Sequence, residues 1–135
     1  MKVLIDTNIV LDVLCKRQNF YEESAKVFKL CEIQKITGVL SALSIPNIIY
    51  VLRKELDAEK IREILNILFL IFKVEDLKAA DLSKAADLHF KDYEDAVQSA
   101  CAVRINADYI ITRNGKDFKE SKVEAIKPSE FLERI

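Results

Sequence analysis

Four aspartates stand where a chain of alternating strands and helices would gather them. Asp6 is the first polar residue after the apolar run Val3-Leu4-Ile5, Asp92 and Asp95 open a helical stretch, and Asp117 closely follows the apolar run Tyr109 to Ile111. Open parallel sheets bind ligands at the carboxyl ends of their strands. If the first and fourth strands are neighbours, Asp6 and the polar segment Thr112 to Asn114 meet at one edge of the sheet, and the start of the Asp92 helix reaches that edge too. Close like charges raise one another's pKa, so such a group is costly without a cation. Oxygen donors alone, with no His or Cys among them, select the hard ions Mg²⁺ or Mn²⁺. Those ions suit phosphoryl chemistry, because they lower the pKa of bound water and offset charge that develops on a phosphate. Each acid also has a plainer reading: Asp6 and Asp92 as helix caps, Asp95 as a helix-dipole partner, Asp117 as a solvated turn residue.

The elements that must position these acids follow from periodicity. Val3 to Ile5 is apolar without alternation, as in a strand covered on both faces. Thr7 and Asn8 then begin a helix whose Ile9, Val10, Val13 and Leu14 pack back on the sheet. Asp12, one turn beyond Asn8, reads as a residue behind the site or in solvent. Phe20 to Lys35 reads as an amphipathic helix, Val39 to Ala42 as a second strand, and Ser44 with Pro46 as the cap and first turn of the next helix. Asp57 caps a helix running to Phe72. The C-terminal half of that helix is apolar nearly all round, which calls for burial within the fold or against a second copy, and a homodimer is expected. Val74 to Leu77, Tyr109 to Ile111 and Val123 to Ile126 read as further strands, with helices from Ala79 to His89, from Tyr93 to about Ile105, and after Pro128. Ala96, Val97, Ala100, Cys101 and Val103 give the penultimate helix a small-residue face. The alternation predicts one domain over residues 1–135, a three-layer α/β/α fold around a mostly parallel sheet.

Composition removes other classes. The chain has 135 residues and a net charge of −1, so any nucleic-acid contact must come from a local basic rim rather than an overall field. Arg53, Lys54, Arg113, Lys116 and Lys119 are candidates for it, although each is also an ordinary solvated charge. With 2 glycines there is no phosphate-cradling Gly-rich loop. The 3 cysteines, Cys15, Cys31 and Cys101, lie far apart in apolar helical patterns and read as buried reduced thiols. His89, the sole histidine, has no nucleophile motif beside it. The greasiest run, Ile64 to Phe72, is too short to span a bilayer, and Met1-Lys2 leads directly into a strand, so a cytoplasmic location is expected.

LIDTN at the start, with DYEDAVQSACAV and DYIITRNGKDF near the end, resembles the PIN domain, the nuclease fold of VapC-type toxins from toxin–antitoxin systems. The resemblance runs over nearly the whole chain. It implies cleavage of single-stranded RNA at a Mg²⁺ or Mn²⁺ cluster held by about four acidic positions. Asp6 matches the first, Asp95 the helix-start acid and Asp117 the late acid. Asn114 matches a polar position that contacts the same cluster, and Thr112 the supporting hydroxyl. The family's second acid is replaced here by Asn47, an amide without negative charge, and Asp92 or Glu94 is placed to compensate. The resemblance also implies a small antitoxin as partner. Two other readings stay open. One is a non-catalytic module that binds RNA or protein on this fold; the other is a phosphatase for small phosphate esters, disfavoured because DTN lacks a second acid two residues on.

Overall fold

The computed structural model describes residues 1–135 and places five strands in one sheet, ordered β3-β2-β1-β4-β5, with every neighbouring pair parallel. The strands are β1 Lys2–Ile5, β2 Thr37–Ser41, β3 Lys73–Glu75, β4 Tyr109–Ile111 and β5 Ala125–Ile126. Seven helices connect them: α1 Thr7–Leu14, α2 Tyr21–Glu32, α3 Ser44–Leu52, α4 Ala58–Ile71, α5 Ala79–Ala86, α6 Tyr93–Arg104 and α7 Pro128–Arg134. A single 3₁₀ turn, Gly115–Phe118, follows β4. The chain starts in the middle of the sheet, builds outward through β2 and β3, then returns to the other side of β1 with β4. Strand order therefore reverses between β1 and β4, the position at which such sheets open a crevice.

The apolar run at β1 has two destinations. Val3 and Ile5 face the larger core with Ile9, Val10, Val27, Ile48, Leu68, Phe72 and Phe131. Leu4 faces the opposite side with Cys101, Ala102, Ile105 and Phe118. Both faces of the sheet are thus covered, as the unbroken apolar pattern requires. The α6 face of Ala96, Val97, Ala100, Cys101 and Ala102 is buried, which lets this helix lie close to the sheet, whereas Val103 is exposed.

Several expected boundaries move. β2 starts at Thr37, β3 occupies Lys73–Glu75 and β5 is only two residues long. Helix α5 stops at Ala86, where the Asp87 and Leu88 amides turn back to Lys84 and Ala85 in tight i−3 bonds. Leu43, not Ser44, holds the cap position of α3. Cys31 and Cys101 are buried as expected, but Cys15 is exposed because it sits at the end of α1 rather than within its packed stripe. On α4 only Ile61 and Leu68 are buried, and Ile67, Phe69 and Leu70 remain exposed, so the fold itself does not cover the greasy half of that helix. No helix is long and apolar enough to cross a membrane.

Candidate metal centre

The carboxyl ends of β1 and β4 are adjacent, with Ile5 paired to Ile111, and this brings Asp6 to Thr112 across 106 residues of sequence. Asp6 occupies the cap position of α1 in extended backbone, yet its carboxylate caps nothing. Instead Oδ2 accepts a 2.8 Å hydrogen bond from the Thr112 hydroxyl, whose oxygen accepts the Asn114 amide at 3.3 Å. The reading of Asp6 as a simple cap therefore fails. That of Asp92 holds, because its Oδ1 accepts the Asp95 amide at 3.1 Å and closes the first turn of α6. Capping also leaves Asp92 facing the same space as Asp95. Asp117 comes from the 3₁₀ turn, which is bonded to Asn114 by the Asp117 amide and anchored by buried Phe118 against Phe90. Gly115 is needed there because a Cβ would meet the Ala125 carbonyl oxygen at 3.0 Å.

Asp6, Asp92, Asp95, Asn114, Asp117 and Thr112 line one cleft of about 420 Å³, together with Asn47 and Glu94. The Asn47 amide lies 3.4 Å from Glu94 Oε2, a long contact between α3 and α6. No lysine or arginine lines this cleft. The consequence is electrostatic. Burial, together with the charges of Asp6, Asp92, Asp117 and Glu94, pushes the Asp95 carboxyl up to about 7. Asp6 is also raised, chiefly by burial, against the pull of the Thr112 hydroxyl, the Thr7 amide and the charge of Arg113.

A PIN domain model matches residues 2–116 of the chain. The chain belongs to the PIN domain family. Solved structures agree with this PIN domain in fold. VapBC2 from Rickettsia felis bound to a promoter DNA fragment is 19% identical with a TM-score of 0.71, over 94% of this chain and 98% of that one. FitAcB from Neisseria gonorrhoeae is 17% identical with a TM-score of 0.70 over the same shares. VapBC-1 from nontypeable Haemophilus influenzae is 15% identical with a TM-score of 0.71, over 96% and 99%. None of the curated proteins compared with the sequence is significantly similar to it.

All seven residues singled out in the sequence of this PIN domain meet in the cleft, but Arg113, one of the five cations expected at its rim, does not join them. Arg113 turns away from it. Its Nε stands 3.0 Å from Asp12 Oδ2 and its guanidinium lies 4.1 Å from the centre of the Phe20 ring. Asp12 is fully buried between Arg113 and Arg17, so it is neither solvated nor part of the acidic group. Sequence reasoning also missed a polar chain that runs from the wall of the cleft into the helices behind it. The Thr7 and Ser44 hydroxyls are 2.7 Å apart, and the Gln98 amide donates to Ser44 at 3.1 Å, tying α1, α3 and α6 together. Ser44 is thereby committed to its neighbours rather than to a cap. Gln98 lies three residues after Asp95 on the small-residue face of α6, and a lone polar side chain in that stripe was the available signal.

The donor set fits a hard divalent cation: carboxylate and amide oxygens only, an excess of negative charge, and an acid raised by burial and by its unmatched neighbours. The acids do not form a closed ligand group, because no three of them stand together at ligation spacing.

Proposed function

We propose that this PIN domain is a Mg²⁺- or Mn²⁺-dependent endoribonuclease that hydrolyses phosphodiester bonds of single-stranded RNA, the toxin of a toxin–antitoxin pair. The observation that carries this reading is the cluster of Asp6, Asp92, Asp95 and Asp117 in a cleft lined by no basic side chain, at the reversal of strand order. Asp6, Asp95 and Asp117 would hold the cation, with Asn114 and Asp92 beside them. A bound Mg²⁺ or Mn²⁺ supplies Lewis acidity, an activated water at neutral pH and charge neutralisation at the phosphate. The protein's own residues do the positioning. Thr112 fixes the rotamer of Asp6, the Asp92 cap sets the start of α6 and hence Asp95, and the Asn114-anchored turn presents Asp117.

The reading includes two protein contacts. A small antitoxin would block the cleft, as the toxin–antitoxin complexes of similar fold suggest. A second copy of the chain would cover Ile67, Phe69 and Leu70 on α4, and light scattering at micromolar concentration tests that dimer.

The test is cleavage of a labelled single-stranded RNA with Mn²⁺, Mg²⁺ or EDTA, beside Asp95→Asn. Cutting that needs the metal and drops at least about 100-fold in the variant supports the reading. The presence of Asn47 where an acid is usual favours a second reading, a PIN-fold module that binds RNA or protein without cutting. RNA binding that persists in EDTA, with normal Mn²⁺ uptake and no cleavage, would select it.

A further inference from the structure

A polyanion approaching this cleft meets only acids and neutral groups on its walls, so the cations that hold it must lie at the ends. The C-terminal end of α3 supplies one set. Tyr50 lines the cleft, is 55% exposed and contributes nothing to the core, which α3 reaches through Ile48 and Leu52. Arg53 and Lys54 reach over its ring, at 4.7 and 5.3 Å from the centroid, and make no salt bridge. At the far end, a second hollow shares Asp92, Asp95 and Asp117 with the cleft and carries Lys91, Lys116 and Lys119. The acidic centre is therefore flanked by two groups of cations, and the α3 group has a large exposed aromatic face at its middle.

We propose that Tyr50, Arg53 and Lys54 form a nucleotide subsite beside the acidic centre. One unpaired base of the RNA stacks on Tyr50, the phosphates next to it lie on Arg53 and Lys54, and the strand continues over the acids to Lys91, Lys116 and Lys119. This inference rests on the ribonuclease reading and adds the path of the substrate and a source of its single-strand preference. Stacking on an aromatic ring is available to any base but only to one freed from a duplex, so the subsite selects strandedness rather than sequence. An amide or aliphatic residue at position 50 would leave the phosphates held and the preference lost.

The experiment measures binding of a labelled single-stranded RNA by fluorescence anisotropy in an Asp95→Asn background, and kcat and KM for cleavage by the otherwise unaltered protein with Mn²⁺. Tyr50→Ala should weaken binding about 5- to 100-fold and raise KM with kcat kept, while Tyr50→Phe stays within about twofold. Arg53→Ala with Lys54→Ala should lower the slope of log affinity against log salt by about 1.4. A duplex RNA of equal length should be indifferent to Tyr50→Ala. Wild-type binding and KM in Tyr50→Ala overturn the subsite alone and point to a protein partner for Tyr50. A Tyr50→Phe as weak as Tyr50→Ala also overturns it, since the hydroxyl and not the ring is then responsible. Absence of both binding and cleavage in the unaltered protein overturns the ribonuclease reading and takes the subsite with it.

Discussion

Helix α6 carries the same chemistry in opposite arrangements at its two ends. Near its C-terminus, Arg104 grips the buried Asp81 of α5 through two bonds, Nε to Oδ1 at 2.8 Å and a terminal nitrogen to Oδ2 at 2.9 Å. Although burial raises the Asp81 carboxyl, Arg104 and the Lys78 amide outweigh it and hold it below its ordinary value. At the N-terminus, Asp92, Glu94 and Asp95 meet Asp6 and Asp117 without any such partner, and Asp95 rises to about 7. Arg113 could have neutralised the second group from the end of β4, yet it is ion-paired with Asp12 instead. The first arrangement holds helices together. The second leaves its charge unmatched and so retains free energy that a cation can release.

The comparison breaks most visibly at the paired end. Arg104→Ala leaves Asp81 buried without a counter-charge and should cost about 3–5 kcal/mol in a denaturant titration. A loss below about 1 kcal/mol would show that Asp81 finds water or another donor. At the unpaired end the expected signs are reversed. Mn²⁺ at about 100 times its dissociation constant should stabilise the protein by about 2.7 kcal/mol, and should add little to Asp95→Asn. Equal stabilisation of both proteins would place the ion elsewhere.

The proton provides a finer test. Asp95 binds its proton more tightly folded than unfolded, because its carboxyl is raised from 3.8 to about 7. The folded state therefore holds more protons between about pH 4 and 7, and stability of the metal-free protein falls as pH rises through that window. After discounting for partial solvent screening the loss is about 1–2 kcal/mol. Asp95→Asn should remove the slope and stabilise the metal-free protein at pH 8 by a similar amount, as measured by thermal unfolding across the pH series. A slope that survives in the variant would assign it to another group. Smallest is Thr112→Val, which deletes the hydroxyl on Asp6 and should cost about 1 kcal/mol while weakening Mn²⁺ binding severalfold in calorimetry. Unchanged Mn²⁺ affinity would mean that Asp6 keeps its rotamer without help.

What was readable beforehand follows the same division. Asp6, Asp92, Asp95 and Asp117 were legible because each stands next to a strand end or helix start, and such local signals also fix where a side chain emerges. The parallel sheet was legible for a related reason, since unbroken apolar runs need cover on both faces. Arg113 was read as a rim cation because its neighbours Thr112 and Asn114 face the cleft. Its actual partner, Asp12, is 101 positions away, and nothing local records that the side chain folds over the other side of the strand end. The polar chain of Thr7, Ser44 and Gln98 was hidden likewise, since it joins three helices and no periodicity marks it. Tyr50 carries no local signal either, and only the packing places it outside the core.

The bond between Asp6 and Thr112 also sets when the acidic centre can be completed. Asp6 leaves the ribosome more than a hundred residues before its hydrogen-bond partner Thr112, and before Asn114 and Asp117. A domain generally folds as a unit, so the centre forms only together with the sheet that β4 joins. A chain that stops before β4 therefore lacks Thr112, Asn114 and Asp117, and Asp6 is left without the partners that complete the acidic centre.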